Sequence, residues 1–557
     1  MASRKLQNIK SRLRREGSLQ GLILACVGAS IGSGWLFGPL YTAQQAGPYA
    51  VGSWMIGAFA ILLLALVFAE LGPLIPRAGA VVHLAHVGNG PIIGHMWSWI
   101  LFLSYATIAP IEVTAILTYA NNYLPGLLQQ HSDLLSVKGF AIALVLLAFF
   151  VAINFLVVHW VLKINNGATW WKISIPVLTI GVLLATSWHP GNFVVHAQNA
   201  TADCHGMFVA VATSGVIFSL LGFRHAIDLA GESKNPKRDV PIAVIGSVLI
   251  ASGIYVALQI AFIGAIHPAD LAAGGWRHLR FSGINGPFAA LAAAVGAGWL
   301  AVLLYVDAFV SPGGAALIYT TTAARVTLAT ADTGAAPPWV ACINRRGVPW
   351  ASLILLYVVG AVFFFPFPSW QKMVGYIASM TVLSYVIGPV ALIQLRRAVP
   401  DLERPFRLWA APVIAPLTFV VASWIVFWSG LNTLNFIFGT LFALLILYAL
   451  TGIWRKGRWS AMGWQYMWWI IPYFLGLWGI SWLSPAVLGG TGVLGFFSGM
   501  AAVAVLSLLI FYVAVHQAVA DSTMRAYIAS LWQTRFQRTV NKAFFAVAAV
   551  VQAYSLF

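Results

Sequence analysis

Long apolar runs separated by short polar segments dominate the chain from residue 19 to residue 517. Each run holds about 20 residues, the length that crosses a hydrocarbon layer as an α-helix. The runs do not alternate between apolar and polar residues, which argues against a transmembrane β-barrel. We therefore predict about fourteen membrane-spanning helices, at residues 19–40, 50–74, 95–121, 138–158, 166–187, 208–230, 241–265, 288–323, 348–367, 372–395, 411–430, 433–453, 465–484 and 495–517.

The segment 288–323 is longer than one crossing requires and contains the sequence SPGG at 311–314. We predict a single kinked or tilted helix with a lead-in segment. Two crossings at this point would reverse the orientation of every later helix.

Positive charges set the expected orientation. Of the 31 lysines and arginines, all but six lie in segments that face inward if the N-terminus is cytoplasmic. The six exceptions are Lys138, Arg277, Arg280 and Lys372 in outer loops, and Lys172 and Arg224 within helices. Because positive residues concentrate on the inner side of membrane proteins, we predict an inner or plasma membrane protein with both termini cytoplasmic.

Composition narrows the protein class further. The 557 residues are 60% hydrophobic and 8% charged, with a mean hydropathy of +0.86, as expected of a protein whose main partner is the lipid bilayer. The net charge of +17 is spread between the apolar runs, so we expect no nucleic-acid partner. Three scattered cysteines and the lack of a Walker-type or HExxH motif predict no metal, no cofactor and no enzyme.

The first run contains GASIGSGWLFG at 28–38, with four glycines and two serines. Glycine costs about 1 kcal/mol relative to alanine in a helix, so we predict a break at residues 32–34. A broken helix in lipid requires that its freed backbone groups face protein, water or a ligand, and its free amides favour a carboxylate. The alternative is tight packing of helices through glycines spaced four apart.

The sixth run has a similar interruption, since Ser214-Gly215 and Gly222 lie among apolar residues. Two interrupted helices, one early in each group of five, are typical of secondary transporters built from inverted repeats with a binding site at the membrane midplane.

Four segments together resemble the amino-acid permeases of the amino acid, polyamine and organocation superfamily. They are GSGWLFG (32–38), ELGPLIPRAGA (70–80), GFRHAIDLAGESKNPKRDVP (222–241) and LRRAVPDLERPFR (395–407). The first and third look most like the branch of aspartate:proton symporters. The resemblance covers roughly residues 19–453, and it implies an all-α fold with an inverted repeat of five plus five transmembrane helices, discontinuous helices 1 and 6, and about four further helices.

The resemblance also implies the site. The first break would bind the substrate carboxylate, and the sixth helix would offer carbonyl groups to the ammonium under an aromatic lid, Phe218. The implied substrate-binding residues are Ser30, Gly32, Ser33, Gly34, Ser214, Gly215, Phe218 and Ser219. This chain departs from many members at Trp35, where an aliphatic residue is common, and at His83.

We divide the chain accordingly into a basic arm (1–18), a transporter core (19–395), a linker with helices 11 and 12 (396–453), and helices 13 and 14 with a cytoplasmic tail (454–557).

Two acids lie within predicted helices, where charge is costly and usually functional. Glu112 is mid-helix beside Pro110, and desolvation favours its neutral form, so it is a candidate proton carrier. The alternative is a structural carboxyl that is bonded to a neighbouring helix. Asp307 or Ser311 would line the pocket where sodium-coupled relatives hold an ion. For Asp307 the alternative is a salt bridge near the outer mouth.

Two cations lie within predicted helices as well. Lys172 matches a lysine that replaces sodium in some members of the family, or else it snorkels toward the interface near Asn165 and Asn166. Arg224 offers a two-point donor set for a second carboxylate, which would select aspartate or glutamate. Alternatively, it neutralises Asp228, four residues later on the same helix face.

Without a nucleotide site, transport would depend on an ion gradient or on exchange. We predict a proton-coupled importer whose substrate is an amino acid, with aspartate or glutamate preferred. The alternatives are a permease or exchanger for neutral amino acids or amines, and a membrane sensor or scaffold that binds an amino acid without transporting it.

Overall fold

We describe a computed structural model of the chain over residues 17–75, 77, 79–129, 134–155, 158–194, 204–272, 275–281, 286–344, 348–365, 369–456, 466–517 and 521–532. Within these ranges the chain forms helices and connecting turns, with isolated β-bridges as the only extended pairing. The all-α prediction is therefore confirmed. Most of the basic arm and the end of the tail lie outside the described residues.

The first half of the chain contains eleven helices that matter for the site. They are α1 (Leu19–Ser30), α2 (Ser33–Ala46), α3 (Ala50–Leu71), α4 (Ala80–Ala106), α5 (Ile108–Ala120), α6 (Val137–Ile153), α7 (Val158–Thr186), α8 (Cys204–Thr213), α9 (Val216–Leu220), α10 (Arg224–Asp228) and α11 (Pro236–Ala265). The second half contributes ten more. They are α12 (Pro287–Ala294), α13 (Gly298–Asp332), α14 (Trp350–Phe363), α15 (Trp370–Tyr385), α16 (Ile387–Ala398), α17 (Ala411–Trp428), α18 (Leu431–Lys456), α19 (Ile470–Leu483), α20 (Phe496–His516) and α21 (Asp521–Trp532).

Many of these helices have the length and composition of membrane spans. In the described residues, eight helical segments pass that test, or nine if the bent pair of α8 with Val216–Asp228 counts as one, and five shorter apolar helices accompany them. The chain is thus a multi-pass membrane protein. The number of crossings and the inverted repeat stay predictions, because length and composition do not show which helices cross.

Local sequence explains where several helices begin and end. The hydroxyl of Ser18 caps α1 at Gly21 N, and Ser369 caps α15 at Lys372 N. Such caps satisfy amides that have no partner within the helix. The serine at 369 therefore fixes Trp370 as the first residue of α15.

The long segment 288–323 forms the short helix α12 and then one continuous helix, α13, which contains Pro312. The predicted single helix with a lead-in segment is confirmed. By contrast, α4 begins at Ala80, well before the predicted residue 95, and bends at Gly90, whose φ is 77°. The polar residues and glycines between 83 and 95 interrupt the apolar pattern, so this early part escaped the prediction.

The broken helix α1/α2 lies at the centre of the core. α1 packs against α7, α10, α11 and α13, and α2 packs against α8. Nearly all of its side chains between Leu24 and Pro39 are buried. Any opening at this break is therefore surrounded by protein rather than by lipid.

A buried carboxylate fixes the linker after α16 to α3. Glu70 accepts two hydrogen bonds from Arg396, at 2.9 and 2.6 Å, and one from Leu408 N at 2.7 Å. Arg404 Nε lies 3.2 Å from the same carboxylate. The guanidinium of Arg404 also donates to carbonyl groups at the end of α16. Glu70 therefore anchors the linker that follows α16.

The helices beyond residue 465 pack against the outside of this core. Tyr473 of α19 contacts Ser423 of α17 at 2.9 Å between their hydroxyl oxygens, and Trp424 donates to the carbonyl of Met500 on α20. α21 contacts α16 and α4, and Arg525 donates to the carbonyl of Ala398 at 2.7 Å. These helices therefore brace α16 and α17.

Candidate substrate and coupling site

The first predicted interruption is present. α1 ends at Ser30, the backbone at Ile31 and Gly32 is not helical, and α2 begins at Ser33. A Cβ atom at Gly32 would overlap Glu112 Oε1 and would lie 2.9 Å from the Cβ of Ala315. Glycine is required here for close approach of the neighbouring side chains.

The second interruption lies between α8 and α9, which form a bent pair with an angle of 54°. Gly215 has a φ of 94°, a left-handed conformation that side chains other than glycine rarely adopt. Gly222 packs against α1, where a Cβ atom would overlap Ser30 Oγ and the carbonyl of Cys26. Small residues therefore both interrupt the helices and bring them together, so the two alternatives raised from the sequence hold at once.

Glu112 occupies the N-terminus of α2. Its carboxylate accepts a hydrogen bond of 2.7 Å from Ser33 N, and the side chain is buried. The free amides and the dipole of a helix N-terminus attract anions. The carboxyl of Glu112 thus occupies the position at the N-terminus of α2 that the sequence analysis assigned to the substrate carboxylate. We call this position the anion seat.

Lys172 lies between α1 and α13. Its Nζ donates to the carbonyl of Gly28, and a Cβ atom at Gly314 would be 3.1 Å from Nζ. The side chain is fully buried, so it does not snorkel to the interface. Lys172 and Glu112 are electrostatic neighbours.

Asp307 accepts hydrogen bonds from three helices. Its carboxylate accepts from Trp35 Nε1 at 3.1 Å, Trp171 Nε1 at 2.9 Å and Ser311 Oγ at 2.8 Å. The residue is fully buried, and the positive charge of Lys172 acts on it. These contacts, rather than a salt bridge at the outer mouth, define its surroundings.

Trp370 covers the first break, a feature that sequence reasoning missed. Its Nε1 donates to Ser33 Oγ at 2.8 Å. Its ring centroid lies 5.2 Å from that of Phe37, 5.6 Å from Tyr41 and 6.1 Å from Phe218. The expected lid, Phe218, therefore lies beside a second aromatic residue. Tryptophans near helix ends are commonly interfacial anchors, and no sequence signal separated this one from the others.

The serines at the two breaks have different partners. Ser30 Oγ donates to the carbonyl of Cys26, and Ser219 Oγ donates to the carbonyl of Gly215. A Cβ atom at Gly34 would overlap Ser219 Oγ, so the two breaks are in contact. Ser214 Oγ is buried and has no hydrogen-bond partner among the described residues. Its hydrogen-bonding capacity is therefore unused in the described part of the chain.

Arg224 lies in an aromatic cluster beyond the second break. Its guanidinium is 3.6 Å from the ring centroid of Tyr105 and 5.0 Å from that of Tyr319. It also donates to Ser104 Oγ at 3.3 Å. Asp228 accepts the hydroxyl of Tyr105. The tyrosine is thus hydrogen-bonded to Asp228 while its ring contacts Arg224, and the contact of Arg224 with a substrate stays a prediction.

The predicted residues therefore fall into three groups. The residues of the two breaks meet in one place, together with Glu112 and Lys172. Asp307 and Ser311 form an adjoining cluster around Trp35. Arg224 lies against the rings of Tyr105 on α4 and Tyr319 on α13.

Comparison with known proteins agrees with the resemblance in the sequence. The profile of the family described as "Amino acid permease" matches residues 18–453. The glutamate/serine transporter AimA of Bacillus subtilis (strain 168) is 37% identical over 514 residues, covering 90% of this chain and 94% of the relative. The aspartate-proton symporter of the same organism is 33% identical over 506 residues, covering 90% and 96%. Its branched-chain amino acid permease BcaP is 26% identical over 450 residues, covering 78% and 93%.

Proposed function

Because the chain belongs to the amino acid permease family, we propose that it is a proton-coupled symporter that imports an acidic amino acid across the cell membrane, with both termini in the cytoplasm. The chain is a transporter and not an enzyme, as its family and its relatives indicate. Two relatives carry names that refer to glutamate or aspartate, and one of these names also refers to protons. The observation that carries the proposal is the hydrogen bond between Ser33 N and Glu112.

The substrate would bind where the two broken helices meet. Its α-carboxylate would take the amides at the start of α2, beside Ser33 and Gly34. Its ammonium would face the carbonyl groups around Gly215, and the unpartnered hydroxyl of Ser214 supports a ligand at this point. Phe218 and Trp370 would cover the bound amino acid.

Competition at one seat would couple the proton to the substrate. Glu112 already accepts the Ser33 amide, so an ionised Glu112 and a substrate carboxylate would compete for the same donors. A protonated Glu112 has lost its negative charge and competes less well. Lys172 next to it would stand in for a sodium ion by holding the carbonyl of Gly28. Protonation and substrate binding would therefore favour each other.

The preference for an acidic side chain would depend on Arg224. Its guanidinium is buried and lies against aromatic rings, and its Nε has no hydrogen-bond partner among the described residues. A buried cation with an unused donor suits a second carboxylate. A neutral substrate is the second candidate, because one relative is named for both glutamate and serine.

Proteoliposome uptake tests the proposal. Labelled aspartate, glutamate, serine and leucine are offered with and without an inward proton gradient. We expect the gradient to drive accumulation of aspartate or glutamate at least several-fold above the level reached without it. Binding without accumulation would indicate a sensor, and gradient-independent exchange would indicate an antiporter; either result would overturn the proposed symport.

The variant Glu112→Gln separates binding from coupling. A neutral amide cannot take up a proton, so we expect loss of gradient-driven accumulation while counterflow exchange of preloaded substrate continues. Glu403→Gln is the matched control, because Glu403 forms an ion pair with Lys237 on the surface, where its side chain is 74% exposed. Equal accumulation by both variants would remove Glu112 from the coupling mechanism.

A further inference from the structure

We propose that Trp35 and Trp171 are positioning residues that hold the ionised carboxylate of Asp307, and that this arrangement links protons arriving at Asp307 to the position of α2. The inference rests on the proton coupling proposed above, and it adds two tryptophans that the proposed symport mechanism does not use.

The donors around Asp307 match an ionised carboxylate. Two indole N–H groups and one hydroxyl point at its oxygens, from α2, α7 and α13. An ionised carboxylate only accepts hydrogen bonds, so it can satisfy all three donors. A protonated carboxyl carries a hydrogen of its own and loses part of its accepting capacity. Protonation of Asp307 therefore weakens or breaks at least one of the three bonds.

Other ionisable groups near Asp307 respond to its protonation state. Lys172 of α7 is the positive neighbour of Asp307 and also of Glu112 of α5. Tyr119 of α5 feels the charge of Asp307, and its buried hydroxyl has no partner among the described residues. Both acids thus share one lysine, so a proton on Asp307 strengthens the hold of Lys172 on Glu112.

Trp35 is the donor that is best able to respond. Trp171 belongs to the continuous helix α7, whereas Trp35 belongs to α2, which the non-helical residues 31 and 32 separate from α1. Loss of the indole bond removes a polar link between α2 and α13. Trp35 is two residues beyond Ser33, the residue whose amide holds Glu112. A change at Asp307 therefore reaches the substrate seat through less than one turn of helix.

Single substitutions of the two tryptophans test the inference. Trp35→Phe and Trp171→Phe each remove one donor from the carboxylate and keep an aromatic ring. Without that donor the ionised form of Asp307 is less stable relative to the neutral form. We therefore expect the pH of half-maximal gradient-driven uptake to rise by about one unit in each variant. Asp307→Asn is expected to lose gradient-driven accumulation altogether and to retain counterflow.

Trp99→Phe is the matched control. Its indole donates to the carbonyl of Ala335 at 3.0 Å, so the variant loses an indole hydrogen bond that does not involve a carboxylate. We expect no shift of its pH profile. Counterflow in every variant reports whether the protein is folded. If Trp35→Phe lacks counterflow, Trp171→Phe and Asp307→Asn decide the question.

The possible outcomes are distinct. A wild-type protein that ignores the proton gradient would refute the proposed function itself. A wild-type protein that is coupled, with pH profiles of Trp35→Phe and Trp171→Phe equal to that of Trp99→Phe, would overturn the role of the indoles. Normal accumulation by Asp307→Asn would do the same.

Discussion

The chemistry of the site depends on individual residues that are buried and aimed at one another. Ser33 holds Glu112 through its backbone amide and Trp370 through its hydroxyl. One residue therefore links the anion seat of α2 to the aromatic cover of the break. A bound carboxylate at this seat would change both contacts at once.

Replacement of Trp370 tests this link. Trp370→Phe keeps a ring against Phe37 and Phe218 but loses the hydrogen bond to Ser33. We expect weaker closure over the substrate, because a hydrogen bond of this kind contributes about 1 kcal/mol. The half-saturating substrate concentration in counterflow should rise roughly five-fold.

The exposed Trp409 provides the control for this variant, since it is 90% exposed. Trp409→Phe is expected to leave half-saturation unchanged. A Trp370→Phe variant with wild-type half-saturation would show that its indole nitrogen has no part in covering the site.

At the scale of helices, the interruptions were readable from the sequence because glycine and serine stand out in an apolar run. The clustering of Gly32 and Ser33 with Glu112 was not readable, since it depends on how α5 packs against α2. The cover formed by Trp370 escaped for the same reason, whereas the early start of α4 escaped because polar residues and glycines interrupt its apolar pattern. Periodicity and composition describe one helix at a time, whereas the candidate site forms where several helices meet.

The anchor of the linker after α16 gives a prediction at this scale. Glu70→Gln removes the charge that Arg396 and Arg404 share. Breaking a buried pair leaves uncompensated charge and costs about 3 to 5 kcal/mol. We expect a lower apparent melting temperature in detergent, by several degrees.

Glu403→Gln again serves as the control, because exposed pairs contribute about 1 kcal/mol or less. We expect its melting temperature to match that of the wild type within error. If both variants melted alike, the Glu70 contacts would not be what fixes the linker to α3.

For the whole molecule, the helices beyond residue 465 pack against the periphery of the core, where Phe496 of α20 contacts Phe208 of the interrupted helix α8. α20 and α21 contact α16, and Gln394 of α16 donates to the carbonyl of Ala514 on α20. The all-helical fold and the two interrupted helices followed from the sequence. The role of the last helices could not be predicted from the sequence, because their residues form no recognisable motif and their contacts with other helices depend on the fold.

A truncation tests whether α21 contributes to stability or to substrate selectivity. Deleting residues 521–557 removes α21 with the bond from Arg525 to Ala398 and the contact of Tyr527 with His83. We expect a lower apparent melting temperature and an unchanged ranking of substrates, since the broken helices are untouched. Deleting only residues 533–557 keeps α21 and is the control. A changed ranking in the shorter protein would mean that α21 influences the site.

The carboxyl of Glu112 at the start of α2 has a consequence for fidelity. If Glu112 occupies the N-terminus of α2 in the empty transporter, the positive end of this helix keeps a carboxyl partner. Uncoupled cycling without substrate would then be disfavoured. The same occupancy would limit the affinity for substrate, since an amino acid that binds as proposed would have to displace a tethered carboxylate at high local concentration. Under this arrangement, weak substrate binding and a low rate of uncoupled transport would go together.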